Sequence, residues 1–123
     1  MLIVTGAILG FLGVAFGAFG AHALRDRLGA EAMAVYGTGS DYHLVHAVAV
    51  TAVGVLALMY PHSGSLRLSG ILLAAGTLVF SGSLYALAIS GIRALGAITP
   101  IGGLLLLAGW LILAIAAFNL GKQ

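Results

Sequence analysis

The stretch LIVTGAILGFLGVAFGAFGAHAL, residues 2–24, decides the fold. It contains no Asp, Glu, Lys or Arg, and a helix needs roughly 20 mostly apolar residues to cross a bilayer. Backbone N–H and C=O groups find no water in hydrocarbon, so a spanning segment of this kind must be helical. We therefore expect a first membrane-spanning helix over residues 2–24, which ends where Arg25, Asp26 and Arg27 begin.

The composition extends this conclusion to the whole chain. Of 123 residues, 62% are hydrophobic and 7% are charged, whereas about a quarter of the residues of a soluble domain are charged. The absence of cysteine excludes disulfides and thiolate metal sites. A net charge of +2 is too small for a nucleic-acid-binding surface. We expect the lipid bilayer as the main partner, with no nucleic acid and no cofactor.

Three further apolar runs follow, and local signals mark their ends. Proline cannot continue a helix and glycine readily adopts a left-handed cap, so Pro61 ends the second span and Gly91 ends the third. Thr99 followed by Pro100 is typical of the start of a helix. The predicted spans are residues 2–24, 41–60, 66–90 and 99–119.

The segment between the first two spans is mixed in character. We expect a short interfacial helix over Glu31–Tyr36, followed by a turn at residues 37–39. Ser40 or Asp41 would then cap the second span, because a short side-chain oxygen satisfies free N–H groups of the first turn. Short connections between long helices favour an up-down-up-down arrangement. The prediction is an all-α integral membrane four-helix bundle, with residues 1–123 as a single domain.

Five glycines of the first span are spaced four, three, four and three residues apart, which places them on one stripe of a helix. Glycine lets another backbone approach closely, and helices associate in lipid mainly through close packing. The stripe therefore predicts that this helix packs against a neighbour along its whole length. The neighbour is another helix of the same chain, a second copy of the chain, or both. The stripe comprises Gly6, Gly10, Gly13, Gly17 and Gly20.

Most polar residues are expected at one side of the membrane, where the first and third connections lie. His43 and His46 are three residues apart and share a helix face. Three interpretations remain open: a hydrogen-bonded network that joins helix ends, a site for a small molecule, lipid headgroup or proton, and a metal site built on His22, His43 and His46. We expect no metal, because H-x-x-H alone is a weak motif. The candidate cluster comprises His22, Arg25, Asp41, Tyr42, His43, His46, Ser81, Ser83, Tyr85 and Thr99.

No motif of an enzyme is present in the sequence. It has no Ser/His/Asp order, no phosphate-binding glycine loop and no H-E-x-x-H sequence, so we expect no catalytic activity. Apart from Asp41, the first residue of the second predicted span, no Asp or Glu lies within a predicted span. Proton-driven small multidrug transporters depend on such a carboxylate, so that mechanism lacks its central group here.

Four motifs resemble those of one known family. They are GAFGAHAL at residues 17–24, YHLVHA at 42–47, FSGSLYAL at 80–87, and ITPIGG at 98–103 with Gly109-Trp110. Together they resemble the YwdK/YgdD family of small bacterial membrane proteins, known as domain of unknown function 423 and related to eukaryotic transmembrane protein 256. The resemblance covers nearly the whole chain in order. It implies a four-helix inner-membrane protein and implies no particular activity.

Two functional hypotheses follow. The first is a structural or accessory inner-membrane protein that forms a homo-oligomer or joins a larger membrane complex. The alternative is a transporter or binding protein for a small molecule, an ion or a proton, which would use the polar cluster. A continuous polar cavity would favour the alternative, and a packed interior with small residues on the outer faces would favour the first.

Overall fold

Four long helices make up the computed structural model, which describes residues 1–120. No strand occurs in these residues, and all four helices are long and apolar enough to cross a membrane. The all-helical prediction is therefore confirmed. The elements are α1 (Leu2–Phe19) with a π-helical turn (Gly20–Leu24), α2 (Ala30–Met59), α3 (Gly64–Ser90), a 3₁₀ turn (Arg93–Ala97) and α4 (Thr99–Leu120).

Successive helices pack on one another, α1 on α2, α2 on α3 and α3 on α4. Gly6 lies against Thr51 whereas Gly20 lies against Tyr36, so α1 and α2 run in opposite directions. The two central helices, α2 and α3, are more buried than α1 and α4. The middle of the bundle is filled by small and branched aliphatic side chains, namely Leu9, Ala47, Val50, Val53, Leu73, Ala74 and Leu106.

The second helix is longer than predicted, because no turn interrupts it at residues 37–39. The segment Glu31–Tyr36 is the first part of α2 rather than a separate interfacial helix, and the predicted cap at Ser40 or Asp41 is wrong. The hydroxyl of Thr38 donates to the carbonyl one turn earlier, at 3.1 Å, and so does not compete with the helix. A break would leave backbone groups unpaired in apolar surroundings, which costs more than the roughly 1 kcal/mol that each helical glycine costs.

The ends of the later helices follow local chemistry. The N–H of Leu66 donates to Ser63 Oγ at 3.4 Å, which caps the start of α3. Gly91 ends α3 with φ of 70°, a left-handed conformation that glycine adopts without strain. Pro61 follows the last turn of α2, and Pro100 lies in the first turn of α4. The predicted helix ends at Pro61 and Gly91 are thus confirmed.

Three glycines of the α1 stripe are buried against α2. A Cβ atom on Gly6 would lie 2.6 Å from the backbone nitrogen of Thr51, and one on Gly20 would lie 2.8 Å from Tyr36 Cδ1. Gly13 is also buried, against Leu44. These three glycines are seven residues apart, and they let the backbones of α1 and α2 come into contact.

The other two glycines of the stripe, Gly10 and Gly17, lie at the rim of this contact. Both are half-buried. A Cβ atom on Gly10 would have only Ala47 Cβ within 4 Å, at 4.0 Å. A Cβ atom on Gly17 would lie 3.3 Å from Ser40 Oγ. Open space therefore adjoins the stripe at Gly10, whereas Gly17 lies close to α2.

The same close approach joins α3 to α4. A Cβ atom on Gly102 would lie 2.7 Å from Phe80 Cα, and one on Gly76 would lie 2.9 Å from the backbone nitrogen of Leu106. Ser69 Oγ also donates to the carbonyl of Gly109 at 2.8 Å. Small residues thus bring α3 and α4 together as they do α1 and α2.

We expect Gly6→Ala to lower the free energy of unfolding by about 1–3 kcal/mol, because the new methyl group would meet the backbone of Thr51. The matched control is Gly37→Ala, which lies inside α2 with no neighbouring atom within 4 Å of its new Cβ. That substitution should raise stability by about 0.5–1 kcal/mol, because alanine favours helix. Thermal unfolding in detergent micelles measures both. Equal effects of the two substitutions would contradict the packing of α1 on α2.

Candidate functional site

The two histidines of α2 lie at mid-depth in the bundle. Because α2 begins at Ala30, His43 and His46 follow its start by about 20 Å and about 24 Å at 1.5 Å per residue. His43 also lies beside Gly13, near the middle of the first span. The prediction that the histidines sit at one membrane face is therefore wrong, and the unbroken course of α2 is the reason.

Aromatic rings from α1 and α2 surround Tyr85 of α3. We call this group, Phe16, Tyr36, His43 and Tyr85, the Tyr85 cluster. The ring centroids of Tyr36 and Tyr85 are 4.8 Å apart, and those of Phe16 and Tyr85 are 5.2 Å apart, both tilted. Such geometries are favourable between aromatic rings. The cluster joins α1, α2 and α3 toward the end of the bundle where α2 begins and α3 ends, and Leu24 and Ala88 pack beside Tyr36 and Tyr85.

Two hydrogen bonds fix the Tyr85 cluster. The hydroxyl of Tyr36 donates to the carbonyl of Phe16 at 2.6 Å, which ties α2 to α1. His43 Nδ1 and Tyr85 Oη share a hydrogen bond of 3.2 Å, which ties α2 to α3. Ser40 lies next to the same hydroxyl. The polar ends of these rings therefore hold the helices in register.

Within residues 1–120, two buried side-chain atoms have no hydrogen-bond partner, His43 Nε2 and Ser81 Oγ. His43 is 4% exposed and Ser81 is 1% exposed. The backbone of Leu9 is close to the imidazole, but no atom bonds to Nε2. An unpaired buried polar group costs about 1–3 kcal/mol. A polar molecule that reached these atoms would be stabilised there.

His46, in contrast, is bonded through both of its ring nitrogens. Its Nδ1 lies 2.7 Å from the carbonyl oxygen of Tyr42, which only accepts, so Nδ1 carries a hydrogen. The indole N–H of Trp110 donates to Nε2 at 3.1 Å, so Nε2 carries none. These partners fix a neutral imidazole of one tautomer. The Trp110 bond links α2 to α4.

Stacked and tilted rings surround His46 as well. We call Tyr42, His46, Phe80 and Trp110 the His46 cluster. The rings of Tyr42 and His46 are 5.7 Å apart at 19°, and those of Tyr42 and Phe80 are 4.6 Å apart. The His46 cluster connects α2, α3 and α4, whereas the Tyr85 cluster connects α1, α2 and α3. Both clusters include α2 and α3, and side-chain hydrogen bonds connect α2 to each of the other three helices.

Ser83 and Thr99 form a third polar contact, between α3 and the start of α4. Ser83 Oγ donates to the carbonyl of Phe80 at 2.9 Å and lies 2.8 Å from Thr99 Oγ1. Because a serine hydroxyl has a single hydrogen, Thr99 is the donor to Ser83. The hydroxyl of Thr99 therefore bonds across the helix interface.

The remaining predicted site residues lie apart from these contacts. His22, Arg25 and Asp41 are exposed and belong to neither cluster. His22 lies on the π-helical turn after α1, far along the bundle from His46. In the part of the chain that the structure describes, no three His, Asp or Glu side chains come together as a metal site.

Sequence reasoning missed Trp110 and Tyr36 as members of the centre. Trp110 is the single tryptophan of the chain, and it directly follows Gly109, which faces α3. Its place beside a glycine that packs on α3 could have predicted that Trp110 lies near the other helices. Tyr36 was assigned to a separate interfacial helix, so its contact with α1 was not expected.

His43, His46, Ser81 and Tyr85 are buried, whereas Phe16, Tyr42 and Trp110 each keep at least 40% of their surface exposed. Four surface grooves on residues 1–120 are lined by residues other than the buried four. The centre of the bundle is packed around the histidines. The fold and this centre together define a small integral membrane protein with polar side chains bonded to one another at mid-depth.

The comparison with known families agrees with this class. Residues 16–103 match a family model described as "Protein of unknown function (DUF423)". The chain therefore belongs to this family, and the resemblance noted from its four motifs is confirmed.

Several curated relatives cover a large part of the chain. The UPF0382 membrane protein YwdK of Bacillus subtilis is 41% identical over 81 residues, which are 66% of this chain and 66% of that protein. The UPF0382 inner membrane protein YgdD of Escherichia coli K12 is 40% identical over 89 residues, 72% of this chain and 67% of that protein. The chain thus spans about two thirds of the length of these relatives. No solved structure matches it.

We expect Trp110→Phe to cost about 0.6–2 kcal/mol of stability, because it leaves His46 Nε2 without its donor. A double-mutant cycle with His46→Phe should show coupling of similar size. The control cycle pairs Trp110→Phe with His22→Phe, an exposed residue outside both clusters. It should be additive within about 0.3–0.5 kcal/mol. Additivity in both cycles would contradict the bond, and nitrogen NMR of His46 checks the tautomer directly.

Proposed function

We propose that this chain is a structural or accessory protein of the inner membrane that crosses the bilayer up-down-up-down and associates with a second copy of itself. The antiparallel contact of α1 with α2 supports this topology. The relative from Escherichia coli is named an inner membrane protein, which supports the location. The observation that carries the proposal is a groove of small residues on the outer surface.

This groove, of about 520 Å³, lies over α1 and α2 on the side away from α3 and α4. Ala7, Gly10 and Ala47 supply a floor of small residues, and Val14 and Val48 stand at its rim. Small residues at a lipid-facing surface allow another helix to approach closely, which is the main source of helix association in bilayers. We call this surface the Gly10 groove.

A two-fold axis through the Gly10 groove would bring α1 of one copy across α1 of the other. Ala7, Gly10 and Val14 follow one another at helical spacing and present the same surface in each copy. Val14 is 64% exposed, so it is free to enter the partner's groove. Gly10 thereby serves association, and the buried Gly6, Gly13 and Gly20 serve folding.

The packed centre supports a structural role over conduction. His46 is fully bonded, and Ser83 and Thr99 bond to each other. The polar rings of His43, His46 and Tyr85 are buried, at 4%, 6% and 8% exposed. A polar centre of this kind fixes which helix faces meet.

We expect Gly10→Leu to weaken self-association by more than about tenfold, because the larger side chain fills the groove. The fold should survive, since a Cβ at this position has a single neighbour, at 4.0 Å. Energy transfer between labelled copies in bilayers, as a function of the lipid-to-protein ratio, measures association.

The matched control for this test is Gly82→Leu, an exposed α3 position with nothing within 4 Å of its Cβ. It should leave association unchanged and should not lower thermal stability, because leucine favours a helix more than glycine does. A wild-type chain that stays monomeric at high density, or association unaffected by Gly10→Leu, would refute the proposal.

The second candidate is a binding or transport protein that uses the Tyr85 cluster. The unpaired His43 Nε2 and Ser81 Oγ favour it, because buried polar groups without partners suit a polar ligand. In a purely structural protein these two unpaired atoms would contribute nothing to stability.

The two roles predict different results for Ser81→Ala. In a structural role the substitution should leave stability unchanged or raise it by up to about 1 kcal/mol, because it removes an unpaired hydroxyl. Liposomes holding the wild-type chain should then show no proton or ion flux above that of empty liposomes. Flux that His43→Phe abolishes would establish the second candidate instead.

A further inference from the structure

A second groove, of about 440 Å³, opens between the start of α2 and the end of α3. Its volume falls within the roughly 300–1,000 Å³ typical of small-molecule sites. Glu31, from α2, and Arg93, from the turn after α3, both line it, together with the apolar side chains of Val35, Leu87 and Ala88. We call it the Glu31–Arg93 groove.

Both charged groups of the groove are available to a ligand. Glu31 lies in the first turn of α2, and Arg93 begins the 3₁₀ turn after α3. Both are exposed. Among residues 1–120, neither has an ion-pair or side-chain hydrogen-bond partner. Two opposite charges that flank one groove without pairing fit a ligand that carries both charges.

The apolar lining lies on the membrane side of the charges. Val35 is one turn further into α2 than Glu31, and Leu87 is one turn before the end of α3. Because Gly20 packs on Tyr36, the last turn of the first span ends level with the first turn of α2. The groove therefore lies at the depth where lipid headgroups meet acyl chains.

We propose that the Glu31–Arg93 groove binds an aminophospholipid, with its phosphate on Arg93 and its ammonium group on Glu31. The guanidinium group of arginine matches phosphate with two parallel hydrogen bonds. A primary ammonium offers N–H donors to the carboxylate of Glu31. The acyl chains continue over Val35, Leu87 and Ala88.

This chemistry selects among the common phospholipids. A choline headgroup has a quaternary nitrogen and no N–H to donate to Glu31. A glycerol headgroup gives a net anion and places no positive charge beside the carboxylate. Ethanolamine satisfies both side chains at once, so a phosphatidylethanolamine is the occupant that the charges favour.

The test uses the purified full chain in detergent with added dioleoyl phosphatidylethanolamine, phosphatidylcholine or phosphatidylglycerol. Native mass spectrometry counts bound lipid, and thermal unfolding reports stabilisation. We expect phosphatidylethanolamine to bind about tenfold more tightly than the other two, as suits one added charge-assisted hydrogen bond. Equal affinity for all three lipids, or a preference for phosphatidylglycerol, would overturn the assignment.

Substitutions of the two charged residues test whether the lipid binds in the Glu31–Arg93 groove. Glu31→Gln should remove the preference for phosphatidylethanolamine over phosphatidylcholine. Arg93→Gln should weaken the binding of phosphatidylethanolamine and of phosphatidylcholine by about tenfold. The matched control is Arg25→Gln, an exposed arginine near the same end of the bundle that does not line the groove. The Arg25→Gln chain should bind each lipid with the affinity of the wild-type chain. Unchanged binding in Glu31→Gln and Arg93→Gln would overturn the proposal.

Two further measurements separate the remaining explanations. Soluble phosphoethanolamine should stabilise the chain far less than the lipid, because it lacks acyl chains. Equal stabilisation would show that the groove takes a free headgroup and not a lipid. The Gly10→Leu chain should retain the lipid preference, so this site is tested independently of self-association.

Discussion

Close approach of helix backbones is the interaction on which this bundle depends. In hydrocarbon the hydrophobic effect does not draw one apolar helix to another, so association must come from packing and from polar contacts. The buried glycines Gly6, Gly13 and Gly20 bring α1 onto α2, and Gly76 and Gly102 bring α3 onto α4. Once these backbones meet, the polar side chains between them are excluded from lipid and must bond to each other.

The two aromatic clusters meet the need of buried polar side chains for hydrogen-bond partners to different extents. His46 has a partner on each ring nitrogen, and one of them reaches across to α4. His43 bonds only to Tyr85 and keeps a buried nitrogen unpaired. The first arrangement fixes helix positions without further chemistry. Among the described residues this His43 nitrogen and Ser81 Oγ are the buried side-chain polar atoms without a partner, so a function beyond structure would begin there.

The two grooves of the outer surface lie at different depths in the membrane and differ in polarity. The Gly10 groove is apolar and offers close packing to another helix at mid-depth. The Glu31–Arg93 groove lies at the membrane boundary and places opposite charges beside an apolar lining. The Gly10 groove faces acyl chains and other helices in the middle of the membrane. The Glu31–Arg93 groove faces the lipid headgroups at its edge. The two grooves share no lining residue, so the proposed self-association and the proposed lipid binding would not compete for one surface.

The sequence by itself determined the four helices, the glycine stripe and the helix ends at Pro61 and Gly91, because apolar length, side-chain size and backbone freedom are local properties. Only the tertiary structure decided that α2 runs unbroken through residues 37–39, since the packing and backbone bonding of the whole helix outweigh a local turn signal. It also decided that His46 meets Trp110, 64 residues away along the chain. Contacts between residues so distant depend on how helices pack, which no local pattern contains.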